Sequence, residues 1–217
     1  MLWRSRRERA AETSPSREVV GAAEPQPPFY RSPTLKALLS RLSPDTPHHI
    51  LDLGGVHSAN VEFFSHYSCR LQIVNLLDAL TSEASRALLA SDPARAFRQV
   101  LPQTRREFDV VLVWDVLNHL DKEKIRALTS ILADLTAPGA QMLAFLFTAK
   151  EISALPLAFK IIDEETLLYE PQTQAVRPGP RYPPAEVERM EAGFAVVRSV
   201  LMRHGVQEYL FARRRDE

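Results

Sequence analysis

Apolar residues along the chain fall into blocks whose spacing alternates between a helical period and a strand-like run. In SPTLKALLSRL, Leu35, Leu38, Leu39 and Leu42 recur at helical spacing. Ser32 stands where an N-cap belongs and Pro33 at the first helical position, so a helix is predicted to open there. SPDTP ends it. His49 to Leu53 predicts a short strand, and Ser58 to Tyr67 a helix with Val61 and Phe64 inward and Phe63 a further candidate for that face. CRLQIVNL predicts a second strand. Helical character returns at Thr81 to Leu89 and again at Pro93 to Val100. FDVVLVWD, from Phe108 to Asp115, is nearly all apolar, as a strand buried on both faces should be. DKEKIRALTSILADL places Ile125, Leu128, Ile131, Leu132 and Leu135 on one helix face, with Asp121 at its N-cap. APGA reads as a stop and QMLAFLF as another buried strand. This alternation predicts a parallel sheet with helices on both faces.

The final third changes character. Residues 148–182 are irregular and read as an insert. Within them FKIIDEETLLYE can form a small hairpin, and PGPRYPP a loop. PAEVERMEAGF predicts a short helix stopped by Gly193. FAVVRSVLMRHGVQEYLFARR then reads as two strands joined at RHG, an antiparallel hairpin at a sheet edge. At the other end, residues 1–29 mix Arg, Glu, Ser, Ala and Pro with few apolar positions. They are expected to form a mobile tail before a single domain over 30–217.

Composition narrows the function classes. The chain has 217 residues, enough for one domain, with 45% apolar and 25% charged residues. Lys plus Arg equals Asp plus Glu at 27 each, so net charge gives no nucleic-acid or membrane signal. The single cysteine, Cys69, excludes an intrachain disulfide and cysteine-cluster zinc sites. No apolar run reaches the roughly 18 residues of a spanning helix, and no h-region follows the basic start. A cytoplasmic protein is the expectation. The histidines His48, His49, His57 and His66 lack metal-ligand spacing, so no metal is expected.

The chemistry gathers around LDLGGVHSAN. A strand runs into two glycines and then a helix, an arrangement that brings backbone N–H groups and a helix N-terminus up to a ligand. A strand-to-helix turn with no ligand has the same pattern. WDVLNHL sits at the carboxyl end of the strongest strand, beside the crevice where such sheets bind ligands. It offers the aromatic face of Trp114 and the polar groups of Asp115, Asn118 and His119. His119 is a candidate base, or alternatively a loop-fixing residue near Asp121.

Four pieces in order resemble the class I S-adenosylmethionine-dependent methyltransferases. HILDLGG looks like that family's first strand and glycine turn. FDVVLVWDVLNHL looks like its fourth strand and the segment after it. LTAPGAQMLAFLF resembles the turn into its fifth strand, and EAGFAVVRSVLMRHGVQEYLFAR its last helix and reversed final hairpin. The resemblance implies an α/β, three-layer Rossmann-like fold. Its sheet would have seven strands, mostly parallel, with a reversed final β-hairpin. The last strand, at about Glu208 to Arg213, would run antiparallel between strands five and six.

It also implies S-adenosylmethionine as cofactor, held by Asp52, Gly54 and Gly55 at the first turn. Asn75 would stand where the family carries an acid for the ribose hydroxyls, with Asp78 as substitute or as a helix start. Trp114 and Asp115 would line the cofactor mouth. Val56 and Ser58 depart from the family's glycine positions, which makes the motif degenerate. Asp92 lies where an adenine-contacting acid could fall, or starts a helix. The implied activity is methyl transfer to a small-molecule acceptor, over the ends of strands four and five and beneath the 148–182 insert and the helix at about 32–42. The rival is a methyltransferase-fold binding or scaffold protein that has lost its cofactor.

Overall fold

The computed structural model describes residues 29–43, 45–190 and 192–214. The expected tail therefore lies outside the described residues up to 28. Phe29 already belongs to a strand, β1 (Phe29–Arg31).

The first helix, α1 (Pro33–Leu39), begins as its sequence predicts. Ser32 Oγ accepts from the Leu35 N–H, and Leu35, Leu38 and Leu39 are buried. β2 (His48–Asp52) leads to α2 (Ser58–Ser65), and β3 (Cys69–Ile73) follows. Three short helices come next: α3 (Leu76–Ala79), α4 (Glu83–Ser91) and α5 (Pro93–Val100). β4 (Phe108–Trp114) runs into a 3-10 turn at Val116–His119 and then α6 (Lys122–Leu135). Asp121 Oδ1 caps α6 by accepting from the Lys124 N–H. β5 (Thr136–Phe147) is longer than expected and includes APGA, which makes a kink. Its pairing with β4 jumps from Thr136 to Gln141 there, and Gly139 takes a φ of 85°.

The insert contributes β6 (Glu151–Ser153), β7 (Leu157–Ile161), β8 (Thr166–Pro171) and β9 (Val176–Pro178). After α7 (Pro184–Met190), β10 (Phe194–Leu201) and β11 (Val206–Arg213) form the closing hairpin.

The main sheet has the order β10-β11-β5-β4-β2-β3. β2 pairs in parallel with β3 and β4, and β4 with β5, whereas β11 lies antiparallel between β5 and β10. The reversed hairpin is thus where the sequence places it. The strand count is not: this sheet has six strands, not seven. The residues that would supply the seventh, between β3 and β4, form α3 to α5 and the loop LPQTRRE. A strand in a buried parallel sheet needs a near-continuous apolar run, and PQTRRE has none. β3 is left as the sheet edge.

Alternate side chains of β4 enter two cores. Val111 and Val113 pack with Leu128 and Leu132 of α6 and Phe97 of α5. Val110, Leu112 and Trp114 pack on the other face with Leu35 and Leu38 of α1, Phe64 of α2 and Phe159 of β7. That second face is completed by a small sheet of order β1-β8-β7. No described helix is long and apolar enough to cross a membrane.

Candidate functional site

The chain leaves β2 for β3 on one side and returns through β4 on the other. The gap between the carboxyl ends of β2 and β4 is therefore a topological switch point, the usual ligand crevice of such sheets. LDLGGVHSAN ends β2 at this gap.

Asp52 lies at the tip of β2, 1% exposed. Its Oδ1 accepts from the Gly54 N–H at 2.8 Å and from the Trp114 indole N–H at 2.7 Å. Its Oδ2 is buried with no hydrogen-bond partner within the protein. Burial pushes the carboxyl up to about 6, against the lowering effect of the two hydrogen bonds. The structural partner of Asp52 is thus Trp114, 62 residues on, a pairing that the local sequence does not reveal.

Trp114 adopts a φ of 53°, unusual for an aromatic residue and a local store of strain. The turn aims its indole back across the gap at the glycines. A Cβ on Gly54 would lie 2.7 Å from Trp114 Cδ1, so only glycine fits under the ring. The other face of the indole stacks on Phe159, with centroids 5.3 Å apart and planes 10° from parallel. Gly55 is more open. A Cβ there would meet His57 Nε2 at 3.6 Å and Asn75 Nδ2 at 3.9 Å.

The structure thus brings Asp52, Gly54, Gly55, Trp114 and Asn75 together around one turn. Asn75 is exposed at the N-cap position of α3, where its side chain makes no capping bond. Asp78 is exposed in the first turn of α3. Asp92 caps α5, accepting from the Arg95 N–H. Val56 turns its side chain outward, 70% exposed.

Asp115 and His119 belong elsewhere. Asp115 is 2% exposed, and its Oδ2 accepts from the Leu157 N–H at 2.9 Å, which anchors the insert. His119 Nε2 stands 3.6 Å from the same oxygen. Asn118 ties the turn to β5. It donates to the carbonyl of Phe145, and its Oδ1 accepts from the Phe147 N–H.

Asn60 was not picked out by the sequence. It is buried in α2 and forms a two-way bond with β7, donating to the Phe159 carbonyl and accepting from the Ile161 N–H. Phe159 itself carried no sequence signal, because its role depends on β7 crossing Trp114.

Two hollows have their walls outside the glycine turn. A chamber of about 260 Å3 lies behind Asp115 and His119, walled by Ser153, Leu157, Tyr169 and His204. An open groove of about 950 Å3 runs between α1, α2 and the β7–β8 turn, over Leu39, Phe63, Tyr67 and Ile162. Neither has Asp52, Gly54, Gly55 or Asn75 in its walls. Among the described residues no cluster of three or more His, Cys, Asp or Glu could hold a metal ion.

No protein-family model and no curated protein matches the chain. Solved structures do. The PH0226 protein of Pyrococcus horikoshii OT3 aligns with a TM-score of 0.50 at 13% identity, covering 83% of this chain and 88% of that one. The 1,6-didemethyltoxoflavin-N1-methyltransferase of Burkholderia thailandensis, with its namesake ligand and S-adenosylhomocysteine bound, aligns at 0.49 and 16% identity, covering 84% and 77%. An S-adenosylmethionine-dependent methyltransferase of Mesorhizobium loti aligns at 0.48 and 13% identity, covering 82% and 96%. At such identities the likeness is one of fold. The chain shares with the PH0226 protein an α/β fold, here a six-stranded mixed sheet closed by a reversed terminal hairpin.

Proposed function

We propose that the protein is an S-adenosylmethionine-dependent methyltransferase acting on a small-molecule acceptor. The observation that carries this reading is the unpartnered, buried Oδ2 of Asp52 at the switch point, in a glycine turn that is open at Gly55. A buried carboxylate oxygen without a donor is costly, and native proteins keep one mainly where a ligand or an ordered water supplies the hydrogen bond. The amino group of the cofactor is such a donor, directly or through water.

Gly54 and Gly55 would offer backbone to the cofactor. Asn75, beside Gly55, would accept one ribose hydroxyl through its amide oxygen. Trp114 would form the apolar wall. When bound, the cofactor supplies a methyl group already activated on a sulfonium. The residues around it then have mainly to position the acceptor and exclude water. The absence of bulk basic charge supports a small acceptor over a nucleic acid, and a cytoplasmic setting suits that chemistry.

One observation favours the rival reading of a binding or scaffold protein. Trp114 presses on Gly54 and is itself covered by Phe159, so the chain's own rings pack against the glycine turn. Calorimetry of the full chain with S-adenosylmethionine and S-adenosylhomocysteine separates the two. The methyltransferase reading expects saturable binding that Asp52→Ala abolishes. No binding at millimolar ligand, with Asn75→Asp failing to restore it, makes the scaffold reading the right one.

A further inference from the structure

The chamber behind Asp115 is built differently from the glycine turn. Its floor is the end of β4 and β5, its roof is the insert, and one side is the β10–β11 turn, which brings in His204. Four features of its walls restrict what can occupy it.

The first is size. About 260 Å3 is just below the roughly 300–1,000 Å3 range of drug-sized sites, which suits a ligand of one or two rings. The second is shape. Tyr169 and His204 lie 22° from parallel with centroids 6.1 Å apart, and Tyr30 packs on His204 at 4.6 Å. Phe147, Leu157 and Val206 supply further apolar wall. Flat aromatic and apolar walls suit a planar ring.

The third is charge. The lining holds the carboxylates of Asp115 and Glu151 and no Lys or Arg. Burial lowers the His204 imidazole, which keeps it neutral near pH 7. An anionic ligand would meet carboxylates with no fixed cation to offset them, a destabilising arrangement in a partly desolvated space.

The fourth is hydrogen bonding. Ser153 Oγ and His204 Nε2 are buried with no partner within the protein. A hydroxyl both donates and accepts, so it can satisfy the serine and either tautomer of the histidine. A carbonyl or an ether can only accept.

We propose that this chamber binds a small, neutral, hydroxylated aromatic ring, a phenol-class ligand. That the ligand is the methyl acceptor rests on the methyltransferase reading; that it binds does not. His119, 3.6 Å from Asp115, stands in the same chamber as the group that could receive the hydroxyl proton.

The test uses the full chain and two probes of equal ring size, 2-naphthol and 2-naphthoate, titrated by calorimetry with and without saturating S-adenosylhomocysteine. Saturable 2-naphthol binding, with 2-naphthoate at least tenfold weaker, is the expected result. Ser153→Phe fills the chamber and should weaken 2-naphthol at least tenfold. His204→Phe keeps the ring and removes both nitrogens, so it should weaken 2-naphthol severalfold, and it stands as the second variant if Ser153→Phe melts early.

Failure of 2-naphthol to bind under either condition overturns the proposal. So does binding unchanged by both variants, or 2-naphthoate binding as tightly as 2-naphthol. Loss of S-adenosylhomocysteine binding alone, with 2-naphthol retained and sensitive to the variants, upholds the chamber as a ligand site and removes the methyltransferase reading instead.

Discussion

Replacing Asp52 by Asn should make the protein more stable at neutral pH and flatten the acid side of its stability profile. The carboxyl lies at about 6 in the folded chain against an ordinary 3.8, because burial disfavours its charged form. The folded state therefore holds this proton up to a higher pH than the unfolded state does. Between about pH 4 and pH 6 the folded chain binds more protons, so stability falls as pH rises and stays low above pH 6. A rise of about two pH units corresponds to about 3 kcal/mol, at about 1.4 kcal/mol per unit. At 1% exposure, solvent screening takes little from that figure.

Asn keeps an oxygen for the Gly54 and Trp114 donors and has no charge to desolvate. Urea denaturation of the two proteins from pH 4 to pH 8 measures the difference directly. Subtracting one profile from the other removes other buried carboxyls, Glu208 among them, which burial also raises. The stability of Asp52→Asn relative to wild type should climb by a few kcal/mol across pH 4–6.5 and then level. A difference constant to within about 0.5 kcal/mol over the whole range would refute the argument that Asp52 is a desolvated, half-satisfied carboxyl.

Three further outcomes follow from the same geometry. Gly54→Ala drives a methyl to within 2.7 Å of Trp114 Cδ1 and should cost about 1–3 kcal/mol in urea melts; a neutral effect would show that the indole has room to move. Asn60→Leu removes both bonds between α2 and β7 and should cost about 2 kcal/mol, with faster proteolysis within 157–171, which limited digestion followed by mass spectrometry will detect or exclude. Asn75→Asp restores a two-acceptor carboxylate beside Gly55 and should tighten S-adenosylhomocysteine roughly tenfold by calorimetry, whereas weaker or unchanged binding would place the ribose elsewhere.

The elements that were legible in the sequence are those whose signal is local. Ser32 with Pro33, Asp121 before α6 and the apolar block of β4 each announce a boundary or a burial that short-range physics decides. The glycine turn was legible for the same reason. What the sequence hid depends on segments that meet across the chain. Asp52 finds its partner on β4, Asn60 finds its partners on β7, and Asp115 accepts from an amide of the insert. The missing seventh strand was visible only as the lack of an apolar run in PQTRRE, an absence that the family pattern masked. Strand β1 was hidden because three residues, FYR, carry no periodicity of their own and pair only because β8 presents an edge.

The roof over the β4–β5 ends is fastened at three separate places: Leu157 to Asp115, Phe159 and Ile161 to Asn60, and Leu167 to Tyr30 of β1. A flap with one fastening swings on a hinge. A panel riveted along its length can only come away as a cooperative unit, by partial unfolding. The amide hydrogens of Leu157 and Ile161, each held by a side chain of the body beneath, should then exchange on one clock together.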